Sequence, residues 1–254
     1  MKISIGSDIA LCFGLVFARV GAVMVAMPQM LGVGIPLKLR LLLSILLAGA
    51  LMGRTRVALP TVYGSIPIAI LLLREVALGL SLAFVTALVT GAALMAGDLF
   101  GTSMELNSGG ILRGIALTPN VLADGLANLA GLIFFIGGFH RAILLGLARS
   151  MEVIPLGVLA LPPVVTMIAA GGQLFIIAVD LALPLTVPLL IIAIAQGVIV
   201  RLAPQINVLV AAPAAIVLAG LVLLGLDSLG LAWGIMRAWS SIIAFALGVL
   251  NGRA

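Results

Sequence analysis

Few side chains in this sequence can make or break bonds, and their number and spacing limit what they can do. His140 is the single histidine and Cys12 the single cysteine. A histidine metal cluster, an intrachain disulfide and a thiolate metal site built by this subunit alone are therefore excluded. A Ser/His/Asp triad with a spare base is not visible. Ser103 lies in GTSME, which lacks the nucleophile elbow of hydrolases, and no phosphate- or dinucleotide-binding glycine motif is present. His140 follows Gly137 and Gly138 at the end of an apolar run. That position fits a helix end or an interface better than a catalytic base.

What remains is charge placed where it is expensive. Arg74 and Glu75 sit side by side in an apolar run, where a mid-helix charge costs about 2.5–3.5 kcal/mol on insertion scales. Consecutive helical residues point about 100° apart, so the two are expected not to face each other, each finding a polar group on another segment. The pair reads either as a proton or substrate relay or as a buried assembly contact, and the assembly contact is the reading taken. Asp180, Pro184 and Pro188 are spaced by four. Each proline lacks the N–H for the carbonyl four residues earlier, which predicts a kink or break. The carbonyls of Asp180 and Pro184 would then serve an ion or a neighbouring helix.

The elements that must carry these residues are set by composition. The chain has 254 residues, 64% hydrophobic and 8% charged. Runs such as Val57 to Arg74, Val76 to Gly97, Val121 to Phe139 and Ala203 to Leu226 approach or exceed the ~18–20 residues a helix needs to cross hydrocarbon. Barrel strands alternate in polarity, whereas ILLLREVALGLSLAFVTALV is apolar at both parities. The fold class is therefore an all-α membrane protein. Helices are expected over 8–31, 37–52, 63–96, 121–148, 164–200, 205–226 and 229–250. No linker divides the chain, so residues 1–254 read as one membrane domain. Lys2 precedes an apolar run from Ile9 without a small-residue cleavage pattern, which reads as a retained first helix. The net charge of +5 is dispersed, without a basic cluster, so nucleic-acid binding is excluded. Lys38, Arg40, Arg54, Arg56, Arg113, Arg149 and Arg201 follow successive segments on both parities, and the positive-inside rule selects no orientation.

Two further patterns bear on packing. Gly79, Ala83, Ala87 and Gly91 recur every four residues and form a ridge that admits a neighbouring backbone closely. Residues 97–120, GDLFGTSMELNSGGILRGIALTPN, are rich in Gly, Ser, Thr and Asn. This stretch reads either as an aqueous loop or as a non-helical element packed inside protein. Gly109 and Gly110 give it backbone freedom, and Met104, Leu106, Ile111, Leu112 and Ile115 give it deformable apolar bulk.

The order of segments carries a resemblance. Arg19, then MPQMLGVGIPLKLRLLL from Met27 to Leu43, then LLREVALGLSLAF, GDLFGTSMEL, VLADGLANLAGLIFFIGGFHRAILLGL and finally ALPLTVPLLIIAIAQGVIVRLAPQINVLVAAPAAIVL resemble the FliR/SctT family. The likeness runs from about residue 8 to about residue 250. That family is the R subunit of the flagellar and type III secretion export gate.

The resemblance implies a non-enzymatic pore component without cofactors, built of broken helical hairpins. About 1–160 would be similar to the P subunit and about 164–254 to the Q-like hairpin, assembling into a helical cone. It implies P and Q subunits (FliP, FliQ), FlhB and FlhA as partners, unfolded export substrates as cargo, and a multi-pass place in the bacterial inner membrane at the flagellar basal body. Met104, Leu106, Asn107, Ser108, Gly109, Gly110, Ile111, Leu112 and Arg113 would form the channel plug. Arg201, Pro204, Gln205 and Asn207 would form the cytoplasmic tip. Arg19, Pro28, Pro36, Arg40, Arg74, Glu75, Gly79, Ala83, Ala87, Gly91, Asp180 and Pro184 would serve helix packing and assembly. One departure stands out: many relatives place small residues with aromatics and then Asp-Pro in the plug, whereas this chain has NSGGILRG and reaches a proline only at Pro119. A secondary transporter for a small solute is the alternative from another class, motivated by Asp180 and the Arg74–Glu75 pair.

Overall fold

A computed structural model describes residues 5–27, 35–53, 68–104, 120–156, 164–202 and 208–250. Among the described residues the chain forms eight helices: α1 (Ile5–Ala26), α2 (Leu37–Met52), α3 (Ile68–Ser103), α4 (Val121–Ile136), α5 (Phe139–Val153), α6 (Val164–Leu202), α7 (Val208–Leu226) and α8 (Ser228–Leu250). Four are long and apolar enough to cross a membrane, in α1, α3, α6 and α8. The bent pair α4–α5 makes a fifth if it counts as one span. Hydroxyls obey the same apolar logic: those of Ser44, Ser81, Thr86, Ser103 and Ser150 each donate to a carbonyl three or four residues back. This satisfies a polar group without a partner helix or water.

Three expectations are corrected. Residues 121–148 are not one helix but two, bent by 70° at Gly137 and Gly138. Gly138 has φ 69°, the left-handed region in which a Cβ is costly, and its N–H donates to the Phe135 carbonyl at 3.1 Å. Residues 97–103, expected to belong to a loop or another non-helical element, instead extend α3 to Ser103. The prolines at 184 and 188 do not break α6, whose helical residues run from Val164 to Leu202. Proline is tolerated in an apolar helix where side chains and neighbouring helices re-satisfy the freed carbonyls.

The residues group into two compact units. One comprises Met1–Leu88, Phe134–Gly171 and Trp239–Ala254; the other comprises Val89–Ile133 and Gly172–Ala238. In the first, α1 and α2 pack together, and Leu15, Val16, Val20, Val23, Leu71 and Leu147 are buried. The α4–α5 bend is set in an aromatic cluster in which Trp239 and Phe134 are fully buried. The ring of Phe134 lies 4.8 Å from Trp239 and 5.3 Å from Phe135, and Phe139 lies 6.1 Å from Trp239. In the second unit, Leu88's successors Val89, Ala92, Ala93, Ala96 and Phe100 on α3 are buried together with Leu181, Leu185 and Leu189 on α6.

Candidate functional site

The charged centre of the first unit is built on Arg19, in the middle of α1. Its guanidinium is buried, and each nitrogen has a partner. Nε donates to Glu75 Oε2 at 2.6 Å, Nη1 to the Ser150 carbonyl oxygen at 3.0 Å and to its hydroxyl at 3.3 Å, and Nη2 to the Ile154 carbonyl oxygen at 3.2 Å. One side chain thus ties α1 to α3 and to the C-terminus of α5. The Ser150 carbonyl also accepts from Ile154 N–H at 3.0 Å and gives Arg19 its remaining acceptor capacity, and this end of the helix carries the negative pole, so a buried cation there meets favourable charge and free lone pairs at once.

Glu75 is fully buried and answers two arginines, since Arg74 Nη1 donates to its Oε1 at 2.8 Å. This corrects the expectation that the neighbours do not face each other. The backbone directions do diverge, but the flexible arginine stem bends round far enough to close the gap. The other half of the expectation describes Glu75, which finds Arg19 on another helix 56 residues away.

Gly79, one turn after Glu75 on the same face of α3, explains how the helices approach. A Cβ at Gly79 would collide with the Arg19 carbonyl oxygen and stand 2.7 Å from the Ala22 Cβ. Removing that Cβ brings α3 against the backbone of α1, and Glu75 then reaches Arg19. The rest of the ridge is graded: Ala83 is buried, Ala87 and Gly91 half-buried, and a Cβ at Gly91 would stand 3.2 Å from Leu174 Cδ1.

Arg40 repeats the device at another helix end. It is buried near the start of α2, and donates from Nε to the Ile35 carbonyl oxygen at 3.1 Å and from Nη1 to the Val25 carbonyl oxygen in the last turn of α1 at 3.5 Å. Pro36, at the N-cap of α2, has φ −58° and ψ 142°, and its carbonyl accepts from Leu39 N–H at 2.9 Å. Pro28 lies outside the described residues.

In the second unit, Met104 closes α3 and is fully buried, with its N–H donating to the Phe100 carbonyl at 3.0 Å. Its thioether fills the space over Gly220 on α7, where a Cβ would stand 2.6 Å from Sδ. The other plug residues named from sequence, Leu106, Asn107, Ser108, Gly109, Gly110, Ile111, Leu112 and Arg113, lie outside the described residues. Of the tip, Arg201 is exposed near the end of α6, while Pro204, Gln205 and Asn207 lie outside. Asp180 and Pro184 are exposed on α6.

The contacts of this centre are hydrogen bonds and ion pairs that join helices. Among the described residues no group of three metal-ligating side chains occurs. Ser103 Oγ donates to Leu99 of its own helix at 2.8 Å. His140 packs on the rings of Phe134 and Phe135 at 6.4 and 5.8 Å, its Nδ1 buried without a hydrogen bond.

Sequence reasoning missed Ser150 and the Ile154 carbonyl, because backbone acceptors at a helix end have no side-chain signature. It also missed Asn120, which had a signal: an asparagine immediately before an apolar helical run is a helix-start residue.

A family model described as bacterial export proteins, family 1, matches residues 10–242. The flagellar biosynthetic protein FliR of Caulobacter vibrioides is 27% identical over 226 residues, covering 86% of this chain and 88% of that relative. The match takes in the arginine centre on α1, α3 and α5, and continues into α8. The chain belongs to the bacterial export proteins, family 1, the family to which its order of segments pointed.

Proposed function

We propose that this chain is the R subunit of a flagellar protein export gate, a non-enzymatic component that lines a channel for unfolded proteins and closes it with residues 104–119. The observation that carries the reading is the family match over residues 10–242, which covers nearly all of a chain whose described residues include four apolar helices of spanning length. The Caulobacter relative is a flagellar biosynthetic protein, which favours a flagellum over an injectisome.

In this reading P and Q subunits complete the wall, residues 1–160 and 164–254 correspond to P-like and Q-like parts, and the tip at 201–207 meets FlhB, with FlhA part of the same machine. The assembly sits in the inner membrane at the basal body. The exposed apolar side chains of α6, including Phe175, Ile176, Leu183, Leu190, Ile191 and Ile194, face lipid or sister subunits. The arginine centre keeps α1, α3 and α5 in one arrangement against which those subunits build.

The passage must stay shut to ions and yield to a polypeptide. Deformable apolar side chains meet both demands, because a dewetted constriction bars ions and tightens around a traversing chain. Two experiments test this. Detergent extraction should recover P and Q subunits with this chain, and deleting residues 108–112 should raise ion leakage. Normal conductance together with normal motility after that deletion removes the plug assignment. A solitary carrier would instead show saturable solute uptake by the purified chain.

A further inference from the structure

The stretch assigned above to the plug has both of its flanks pinned, and the downstream flank is pinned by one amide. Asn120 Oδ1 accepts from Leu122 N–H at 3.1 Å, the bond of an ordinary helix N-cap. Its Nδ2 does what a cap does not require. It donates to the Gly97 carbonyl oxygen at 3.2 Å and to Asp98 Oδ1 at 3.0 Å, crossing back to α3 over 23 and 22 residues of sequence.

Two glycines one turn apart on α3 leave room for this. A Cβ at Gly97 would stand 2.5 Å from Ala123 Cα and 2.7 Å from the Leu122 carbonyl oxygen, and one at Gly101 would stand 2.9 Å from Asn120 Cγ. The Asp98 carboxylate is thereby held near the N-terminus of α4, the positive pole of that helix. Upstream, Met104 is locked over Gly220.

We infer that Asn120 is a positioning residue: with Gly97, Asp98 and Gly101 it forms a clasp that keeps the end of α3 joined to the start of α4 while substrate passes. The two ends of the plug stretch then keep one separation in the resting and in the transporting channel. The inference rests on the export-gate reading.

The test locks the clasp covalently in the assembled gate, in a Cys12→Ala background. The Cβ of residue 120 lies one bond beyond the Asn120 Cγ, which places Gly101→Cys and Asn120→Cys within the roughly 3.5–4.5 Å between Cβ atoms that a disulfide bridges. Two thiols lose two electrons and two protons to a mild oxidant and form the S–S bond. The expected result is a cross-linked channel that exports as well as the reduced one. Oxidation that stops export, with recovery on reduction, overturns the inference, as does an assembled resting gate in which no cross-link forms.

If the double variant does not assemble, Asn120→Ala decides. Losing a cap worth ~1 kcal/mol raises the population with the clasp apart about fivefold, read as higher resting ion conductance; unchanged conductance overturns the inference. Failure of the underlying reading looks different: the 108–112 deletion stays tight to ions while the cross-linking result is unaffected.

Discussion

Around Arg19 three helices are joined by charge, and around Asn120 two helix ends are joined by a neutral amide. The difference lies in what happens when a partner is removed. Glu75 is enclosed between Arg19 and Arg74 with no exposed surface, so deleting it leaves cations in an apolar interior. Removing one partner of a buried ion pair costs about 3–5 kcal/mol for that reason. The half-buried Asn120 leaves only neutral groups and one half-buried carboxylate behind. Charge thus makes a joint that is costly to lose a partner from, while the amide makes one that loses a partner at little cost.

That contrast can be broken at several points. The largest effect is expected from Gly79→Leu, since its side chain meets the backbone of α1 rather than a movable neighbour. No assembled chain should be recovered by size-exclusion chromatography in detergent; recovery at the wild-type level would mean that α1 and α3 are not held as described. Next comes Glu75→Ala, at about 3–5 kcal/mol, seen as a large fall in the thermal midpoint. Arg19→Lys should lose much of the same stability, because an ammonium cannot reach the carboxylate and two carbonyls in a fixed fork.

Gly138→Ala is expected to cost about 1–2 kcal/mol, the penalty of a Cβ in left-handed backbone, and a smaller midpoint shift measures it. The smallest effect belongs to Asp180→Asn. An exposed site without a hydrogen bond or ion pair among the described residues changes stability by less than about 0.5 kcal/mol, and motility should be unchanged. Loss of motility without loss of protein would restore a role for Asp180 in ion coupling.

Much of this was legible in the residues and some was not, for reasons of range. Apolar runs gave α2, α6, α7 and α8 nearly at their limits, because helix length in lipid follows from hydropathy, while α1 begins and ends earlier than the expected 8–31. The four-residue ridge announced a close approach at Gly79. Its partner α1 was invisible, since nothing local encodes which helix arrives. The pairing of Arg74 with Glu75 is not legible from backbone direction, because the length of the arginine stem decides it. The α4–α5 bend is hidden because residues 121–148 are apolar on both sides of Gly137 and Gly138, and hydropathy registers length but not a change of direction. Asp180, which its spacing from two prolines made conspicuous, lies on an exposed face of a helix that continues past both.

The burial of Arg19, Arg40 and Arg74 reaches beyond packing. Orientation in a bilayer is decided by cations that meet water during insertion, and these three spend their charge on carbonyls and a carboxylate inside the protein. They are silent voters. A topology count for this chain belongs to the cations at its surface, Lys38, Arg141, Arg149, Arg201 and Arg237 among the described residues, and relocating one of those, rather than neutralising a buried arginine, is what would turn the molecule over.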